Sequence, residues 1–208
     1  MMNRQELADL IFPEAKDISY YEEKYPERDL PEGAVVTRFA PSPTGFVHIG
    51  ALEQCIVETA LVKQTGGKLI LRIEDTDQKR KIENGVQGII DSMKDFDIIF
   101  DEGMVSETES AGDYGPYIQT QRREIYEAYA KYLLVNDRAY PCFATEEELA
   151  ELRKKQEEQK LNNIGYYGEW AIYRDLPIEE AAERIHRGDK YVIRFKAMGK
   201  EDGKITHR

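Results

Sequence analysis

Three residues in the first third of the chain have the side chains and the spacing of an anion-binding site. Arg38 ends a β-prone run, and His48 and Gly50 stand two residues apart where a helical pattern begins. An arginine can hold a carboxylate in two parallel hydrogen bonds, and a histidine can donate a hydrogen bond to a phosphate oxygen. Gly50 has no Cβ, so a base or a sugar can approach its backbone closely.

The segment between Arg38 and His48 predicts the backbone that would position these groups. A β-strand is predicted over residues 34–39, and an amphipathic helix from about His48 to Gln64. The turn between them is marked by Pro41, Pro43 and Gly45. A strand, a tight turn and a helix N-terminus together present free N–H groups to an anion, with the positive end of the helix dipole behind them.

A second set of polar side chains follows the next β-prone run, which covers residues 68–73. Glu74, Asp75 and Asp77 stand at its carboxyl end, where open α/β sheets bind their ligands. Three carboxylates in four residues can bind Mg²⁺, hold an amine or form an ordinary acidic turn. The residue types alone leave these three alternatives open.

The two segments resemble the signature motifs of class I glutamyl-tRNA synthetases. Residues 38–50 read RFAPSPTGFVHIG, which is similar to the first signature of that family, and residues 71–77 read LRIEDTD, which is similar to its second conserved block. The general class I motif has a second histidine where this chain has Ala51, and glutamate enzymes commonly carry a small residue there. The resemblance extends more loosely to the end of the chain.

The resemblance implies a role for each motif position. Arg38, with Ser42 beside it, would hold the substrate carboxylate, Glu74 would hold the substrate α-amino group, and His48 would contact the ATP phosphates. The implied glutamate-binding residues are Arg38, Ala40, Ser42 and Glu74. The implied ATP-binding residues are Pro41, Thr44, Gly45, His48 and Gly50, of which His48 and Gly50 are the catalytic pair. Asp75 and Asp77 would shape the turn or contact the end of the tRNA.

The implied cofactors follow from the same resemblance. Mg²⁺ would accompany ATP, and the sequence assigns no metal ligand to the protein. Some members of the family carry a zinc cluster of cysteines, but Cys142 alone cannot form one. Cys55 and Cys142 are therefore predicted to be reduced core residues.

The predicted fold is α/β, with a Rossmann-like parallel sheet and a smaller α+β inserted domain. Strand, helix and strand over about 40 residues form a βαβ unit, which predicts parallel strands. We expect an N-terminal helix and extended arm over 1–32, a Rossmann-like catalytic half over 33–101, and an inserted domain that binds the tRNA acceptor end over 102–208. Within these parts we expect a loop over 18–31, a helix over 82–96, a strand over 98–100, a loop over 102–116, helices over 119–135, after Thr145 and over 177–187, and strands over 139–144 and 191–196.

Charge and hydropathy limit the classes of function. The net charge of −11 gives no bulk electrostatic support for binding RNA, although a local basic face is not excluded. No apolar run approaches the ~20 residues of a membrane span, and the N-terminus lacks a signal-peptide pattern. A cytoplasmic protein is therefore predicted. An aromatic group can stack on single-stranded RNA or pack the inserted domain; it comprises Tyr166, Tyr167, Trp170 and Tyr173.

The function predicted from the resemblance is that of a glutamyl-tRNA synthetase. Such an enzyme activates glutamate with ATP to glutamyl-adenylate and passes the glutamyl group to the 3′-terminal ribose of tRNA. Nothing in the chain matches the Lys-Met-Ser-Lys-Ser loop of class I enzymes, and residues 196–200 are only a superficial echo of it. We therefore expect an incomplete N-terminal fragment with little activity alone.

Two other functions remain open at this point. A nucleotidyltransferase with a His-x-Gly motif would explain His48 and Gly50, but not Arg38, Ser42 and Glu74 together. A non-catalytic module derived from a synthetase, with a tRNA-binding or regulatory role, would bind RNA without binding an adenylate.

Overall fold

The protein is described by a computed structural model that covers residues 2–45, 47–80 and 82–197. The helices are α1 Arg4–Ile11, α2 Ile18–Lys24, α3 Ile49–Thr65, α4 Gly85–Lys94, α5 Arg123–Val135, α6 Glu146–Glu158 and α7 Ile178–Arg187. The strands are β1 Val36–Phe39, β2 Lys68–Leu71, β3 Glu102–Met104, β4 Ser110–Ala111, β5 Ala139–Cys142 and β6 Val192–Phe195. No helix in this part of the chain is both long and apolar enough to cross a membrane.

The chain divides into two compact units. The sheet unit is Ser19–Ile125, and the C-terminal unit combines Met1–Ile18 with Tyr126–Arg208. These boundaries differ from the divisions expected after residues 32 and 101. The arm that precedes β1 and the β3–β4 hairpin belong to the sheet unit, and α1 belongs to the C-terminal unit.

The sheet unit has the α/β architecture that the βαβ pattern predicts. Its strands are ordered β1-β2-β3-β4, and β1–β2 and β2–β3 are parallel, whereas β3–β4 is antiparallel. Helix α3 connects β1 to β2 and ends at Gly66, which has a left-handed φ of 69°. A Cβ on Gly67 would lie 1.8 Å from the carbonyl oxygen of Val35, so only glycine lets the chain enter β2 this close to β1.

The core of this unit lies between the sheet and the helices α3 and α4. The buried residues are Phe39, Leu52, Cys55, Val62, Leu69, Leu71, Ile73, Val86, Ile89, Met93, Ile98, Met104 and Tyr117. Cys55 is fully buried, and burial raises the pKa of its thiol to about 12, which keeps it protonated. Both cysteines are free and buried, as predicted.

The prediction of a loop over 18–31 is wrong for its first part, because Ile18–Lys24 form helix α2. The segment is held by aromatic and charged side chains rather than by a periodic apolar face. Tyr21 is buried, and the hydroxyl of Tyr25 donates to the carbonyl of Gly115 at 2.5 Å. Arg28 forms an ion pair with Glu102, and its guanidinium lies 3.6 Å from the centre of the Tyr114 ring.

Two further predictions in this unit are wrong. Residues 98–100 do not form a strand, because bonding to β2 begins only at Asp101, whose amide donates to Leu69 and whose carboxylate accepts from the Leu69 amide at 2.8 Å. The segment 102–116 is not only a loop, because it contains the short strands β3 and β4. Strands of three and two residues are too short to produce a detectable alternation.

The C-terminal unit is a small α+β structure, with β5 and β6 paired in antiparallel orientation. Helix α6 begins after Thr145, as predicted, with a capping box in which Thr145 and Glu148 bond each other's backbone amides. Trp170 is buried, and the ring of Tyr173 lies 6.0 Å from that of Phe143. These contacts favour the packing interpretation of the aromatic group. Of the segment 196–200, which was compared with the Lys-Met-Ser-Lys-Ser loop, residues 198–200 lie outside the described residues.

Candidate active site

The turn after β1 lies at the carboxyl ends of β1 and β2. Beyond the paired strands, the amide of Arg72 donates to the carbonyl of Phe39, and the amide of Glu74 donates to that of Pro41, both at 3.0 Å. Pro43 is fully buried, and its carbonyl accepts from the amide of Ile82 at 3.0 Å. The first signature is thus held against the second block at the sheet edge where α/β proteins bind ligands.

Arg38 and Glu74 form an ion pair at this edge, so the structure brings together the two residues assigned to the amino acid. Nη1 of Arg38 lies 2.6 Å from Oε1 of Glu74, and Nη2 of Arg72 lies 2.9 Å from the same oxygen. Two guanidinium groups therefore share one carboxylate oxygen, which leaves an excess positive charge beside it. The side chains are 42%, 27% and 21% exposed for Arg38, Glu74 and Arg72.

Arg72 belongs to the site, although the motif that contains it predicts no role for it. Its Nε is buried and makes no hydrogen bond within the described residues. The signal was its position two residues before Glu74, since every second residue of an extended chain points to the same side. It fixes the orientation of the Glu74 carboxylate independently of Arg38.

His48 is the residue that immediately precedes α3, as predicted. It has an extended backbone (φ −102°, ψ 166°), and its side chain makes no capping hydrogen bond. Its carbonyl accepts from the amides of Ala51 at 3.0 Å and Leu52 at 3.2 Å. The imidazole is exposed and lies beside Gly50, where an added Cβ would be 3.6 Å from Nδ1. The ring is therefore not committed to holding the helix start.

A cavity of about 280 Å³ lies beside His48. It is lined by Val47, His48, Ile49 and Leu52 from the start of α3 and by Ser92, Met93, Asp95 and Phe96 from the end of α4. Neither Arg38 nor Glu74 lines this cavity.

The other predicted contact residues lie along the turn and differ in exposure. Ser42 and Gly45 are exposed, whereas Ala40, Pro41 and Thr44 are partly buried. All five retain accessible surface for a ligand. Phe46 lies outside the described residues.

The three carboxylates of the second block have separate protein partners. Asp75 is buried and accepts from the amide and the hydroxyl of Thr120 at 3.0 and 2.7 Å. Asp77 accepts from Nε of Arg80 at 2.6 Å, and this hydrogen bond lowers the pKa of Asp77. With Glu74 bound to two arginines, this arrangement favours an amine-binding carboxylate on a structured turn over a Mg²⁺ site. Thr120, which is distant in sequence, was missed.

Basic residues follow the second block at the surface. Arg80 is paired with Asp77, and Lys79 is exposed. Lys81 lies outside the described residues. Among residues 2–45, 47–80 and 82–197, no three His, Cys, Asp or Glu side chains are grouped as they would be to hold a metal ion.

Comparison with known proteins places these motifs in a family. Residues 34–207 match the family model described as tRNA synthetases class I (E and Q), catalytic domain. The glutamate–tRNA ligase of Acetivibrio thermocellus is 50% identical over 200 residues, which cover 95% of this chain and 36% of that protein. The glutamate–tRNA ligase of Clostridium perfringens (strain 13) is 51% identical over 206 residues, which cover 99% of this chain and 38% of that protein.

Solved structures give the same relationship. The glutamate-tRNA synthetase of Elizabethkingia anophelis superposes with a TM-score of 0.67 at 35% identity, over 79% of this chain and 33% of that one. A glutamate tRNA ligase from Elizabethkingia meningosepticum CCUG26117, solved in complex with its amino acid, gives a TM-score of 0.65 at 36% identity, over 78% and 32%. The chain thus spans 36–38% of the length of these curated relatives.

Proposed function

We propose a function from one premise: this chain belongs to the family of class I tRNA synthetases for glutamate and glutamine, whose catalytic-domain model it matches. The proposal is that it carries the glutamate subsite and part of the ATP subsite of a glutamate–tRNA ligase. The observation that supports it most strongly is the ion pair between Arg38 of the first motif and Glu74 of the second.

The whole protein would catalyse two group transfers. In the first, a carboxylate oxygen of glutamate attacks the α-phosphorus of ATP, and pyrophosphate leaves. In the second, a ribose hydroxyl at the 3′ end of tRNA attacks the acyl carbon, and AMP leaves. Mg²⁺ would enter with ATP; because the carboxylates of the second block are bound to other side chains, we assign it no protein ligand.

The amino acid would insert between Arg38 and Glu74. Free glutamate carries an ammonium group and two carboxylates, so Glu74 can take the ammonium while Arg38 takes a carboxylate. Arg38 and Glu74 would then each exchange their mutual contact for an oppositely charged group of the substrate, so neither partner is left without a counter-charge. Arg72 stays on Glu74 and holds its carboxylate in place.

The reaction indicates which carboxylate Arg38 would hold. The α-carboxylate becomes a mixed anhydride and then an ester, so it loses its full negative charge. A guanidinium that binds the substrate through both steps must therefore hold the side-chain carboxylate, with Ser42 and Ala40 beside it. This contact would also distinguish glutamate from glutamine, because a neutral amide would leave the arginine without a counter-charge.

His48 would act on the phosphate. Its imidazole, free of any capping role, can donate to the α-phosphate as negative charge builds there, and losing one such donor typically costs about 10²–10³ in rate. Gly50 leaves the backbone open to the ribose or the base. Pro41, Thr44 and Gly45 would line the phosphate side of the turn.

The remaining part of the chain would serve the tRNA. We retain the proposal that residues 33–101 form the catalytic half and that residues 102–208 bind the acceptor end. The support for this assignment is family membership, since the net charge of −11 does not favour RNA in itself.

The test is a calorimetric titration of the chain with glutamyl-sulfamoyl adenosine, a stable mimic of the adenylate, beside its glutaminyl counterpart. We expect the glutamyl compound to bind at least about tenfold more tightly, because only it carries the side-chain carboxylate. If neither compound binds and labelled tRNA does, the chain is a tRNA-binding module. Equal binding of both compounds and of AMP would instead support a nucleotidyltransferase.

A further inference from the structure

Asp75 connects the second motif to a segment 45 residues further along the chain. The residue is only 6% exposed, and both carboxylate oxygens accept hydrogen bonds from Thr120, Oδ1 from the amide at 3.0 Å and Oδ2 from the hydroxyl at 2.7 Å. Gln78 donates a third bond to Oδ2 at 3.2 Å. A buried carboxylate with three donors has one strongly preferred orientation.

The contact with Thr120 is part of a continuous strip of hydrogen bonds. The amide of Ile73 donates to the carbonyl of Tyr117, and the amide of Gln119 donates back to the carbonyl of Ile73, both at 2.9 Å. Residues 117–120 thus run alongside residues 73–75, where Ile73 and Ile118 form an isolated parallel bridge beyond the end of β2. Thr120 lies in the first turn of a short 3-10 helix, Gln119–Arg122, so its amide is one that the helix itself leaves free.

Glu74 lies between two fixed neighbours. Ile73 and Asp75 are both buried and both bonded to the strip 117–120, whereas the Glu74 side chain is directed to Arg38 and Arg72. The direction of its Cα–Cβ bond is therefore set by the residues on either side. A shift of 1 Å in a binding group can cost about a hundredfold in function.

We propose that Thr120 is a positioning residue for the amine subsite at Glu74, acting through Asp75. This inference rests on the proposed function, since it takes Glu74 to be the group that holds the substrate ammonium. Thr120 itself is exposed and belongs to neither signature motif. It affects the substrate only by fixing Asp75, and with it the backbone that carries Glu74.

The decisive comparison uses two compounds and two variants. Thr120→Val removes the hydroxyl that bonds Asp75 but keeps the amide and the side-chain shape, and Thr120→Ser restores a hydroxyl. The probes are glutamyl-sulfamoyl adenosine and glutaryl-sulfamoyl adenosine, which lacks only the α-amino group. A positioning role predicts that Thr120→Val weakens the glutamyl compound about tenfold and changes the glutaryl compound less than about twofold, with recovery in Thr120→Ser.

A purely structural role gives a different pattern. It would weaken both compounds equally or neither, and either result would overturn the proposal. Thr145→Val is the matched control, because Thr145 is also an exposed threonine whose hydroxyl bonds a neighbouring residue, but it lies in the C-terminal unit. It should leave both affinities unchanged. If Thr120→Val fails to fold, Gln78→Met removes another bond to Asp75 from an exposed position and should act in the same direction.

A measurement without ligand separates this proposal from the proposed function. Hydrogen exchange of the wild-type chain and of Thr120→Val should differ at residues 73–75, with faster exchange in the variant, and should agree at residues 146–158. Unchanged exchange at 73–75 would refute the positioning role whether or not the chain binds the adenylate mimic. Failure of the wild-type chain to bind the mimic would refute the proposed function and, with it, the amine subsite, whereas the exchange at residues 73–75 would still show whether Thr120 holds Asp75 in place.

Discussion

Replacing Arg38 by lysine should weaken binding of the adenylate mimic while leaving the free energy of unfolding nearly unchanged. The change keeps the positive charge near Glu74 but removes the planar fork of donors that can hold a carboxylate in two hydrogen bonds. The side chain of Arg38 is 42% exposed, and ion pairs at that exposure contribute about 0–1 kcal/mol to stability. We therefore expect the free energy of unfolding to change by less than about 0.5 kcal/mol.

Binding of glutamyl-sulfamoyl adenosine should respond much more strongly. A charged hydrogen bond to a desolvated carboxylate contributes about 1.5–3 kcal/mol, and lysine can supply one such bond where arginine supplies two. A loss of about 2 kcal/mol corresponds to roughly thirtyfold weaker binding. The affinity for AMP alone should not change, because Arg38 is assigned to the amino acid and not to the nucleotide.

Calorimetry gives the affinities, and urea denaturation gives the stability. Arg153→Lys on α6 is the matched control, since Arg153 pairs with Glu157 at 3.1 Å and is 72% exposed. It should change neither quantity. Wild-type affinity in Arg38→Lys would show that the guanidinium does not hold the substrate carboxylate, and a stability loss above about 2 kcal/mol would show that the pair with Glu74 is primarily structural.

Three other predictions follow from named contacts. Gly85→Ala should destabilise the sheet unit by about 1–3 kcal/mol in chemical denaturation, because the added Cβ would lie 2.9 Å from the carbonyl oxygen of Pro43 in the signature turn. Gly88→Ala is the control: an added Cβ there would have nothing within 4 Å, so this change should stabilise α4 by about 0.5–1 kcal/mol. The hydrogen bond from Arg28 lowers the pKa of Glu102 below its ordinary value of 4.5, so wild type should be more stable than Glu102→Gln at neutral pH. This stability difference should be fully present above pH 4.5 and be lost as the pH falls through the lowered pKa, and a difference that grows in acid would contradict this pairing. His48→Ala should leave the free energy of unfolding within about 0.5 kcal/mol of wild type, because the ring caps nothing, and should weaken the adenylate mimic about tenfold; a large loss of stability would assign the ring a structural role.

The elements that the sequence predicted well are those with a strong local signal. The apolar run before Phe39, the turn-forming prolines and the helical period after His48 correspond to β1, the turn and α3. The helix expected after Thr145 also forms, and its capping box depends on residues only three positions apart.

The elements that were missed depend on partners far away in the sequence. Helix α2 shows no apolar period, yet Tyr21 is buried and the segment after it is held by Arg28 on Glu102, 74 residues along the chain. Residues 98–100 are β-prone but do not pair as a strand with β2, because hydrogen bonding to β2 begins only at Asp101. Propensity reflects only local preference. Tertiary contacts can therefore form an element that the local sequence does not predict, or prevent one that it does predict.

The same distinction applies to the site. Arg38 and Glu74 were assigned from motifs, and their ion pair requires only that β1 and β2 be parallel neighbours, which the βαβ pattern predicts. The anchoring of Asp75 by Thr120 could not be predicted, because no motif spacing connects the two residues. The role of Arg72 was accessible in principle from its position relative to Glu74.

The most direct test of the central claim is a crystal structure of the chain with glutamyl-sulfamoyl adenosine bound. We expect one ligand that spans the turn after β1, with its side-chain carboxylate on the guanidinium of Arg38, its ammonium on Glu74 and its sulfamoyl group within hydrogen-bonding distance of the His48 ring. A ligand that contacts His48 but leaves the ion pair between Arg38 and Glu74 closed, or that binds away from this edge of the sheet, would contradict it.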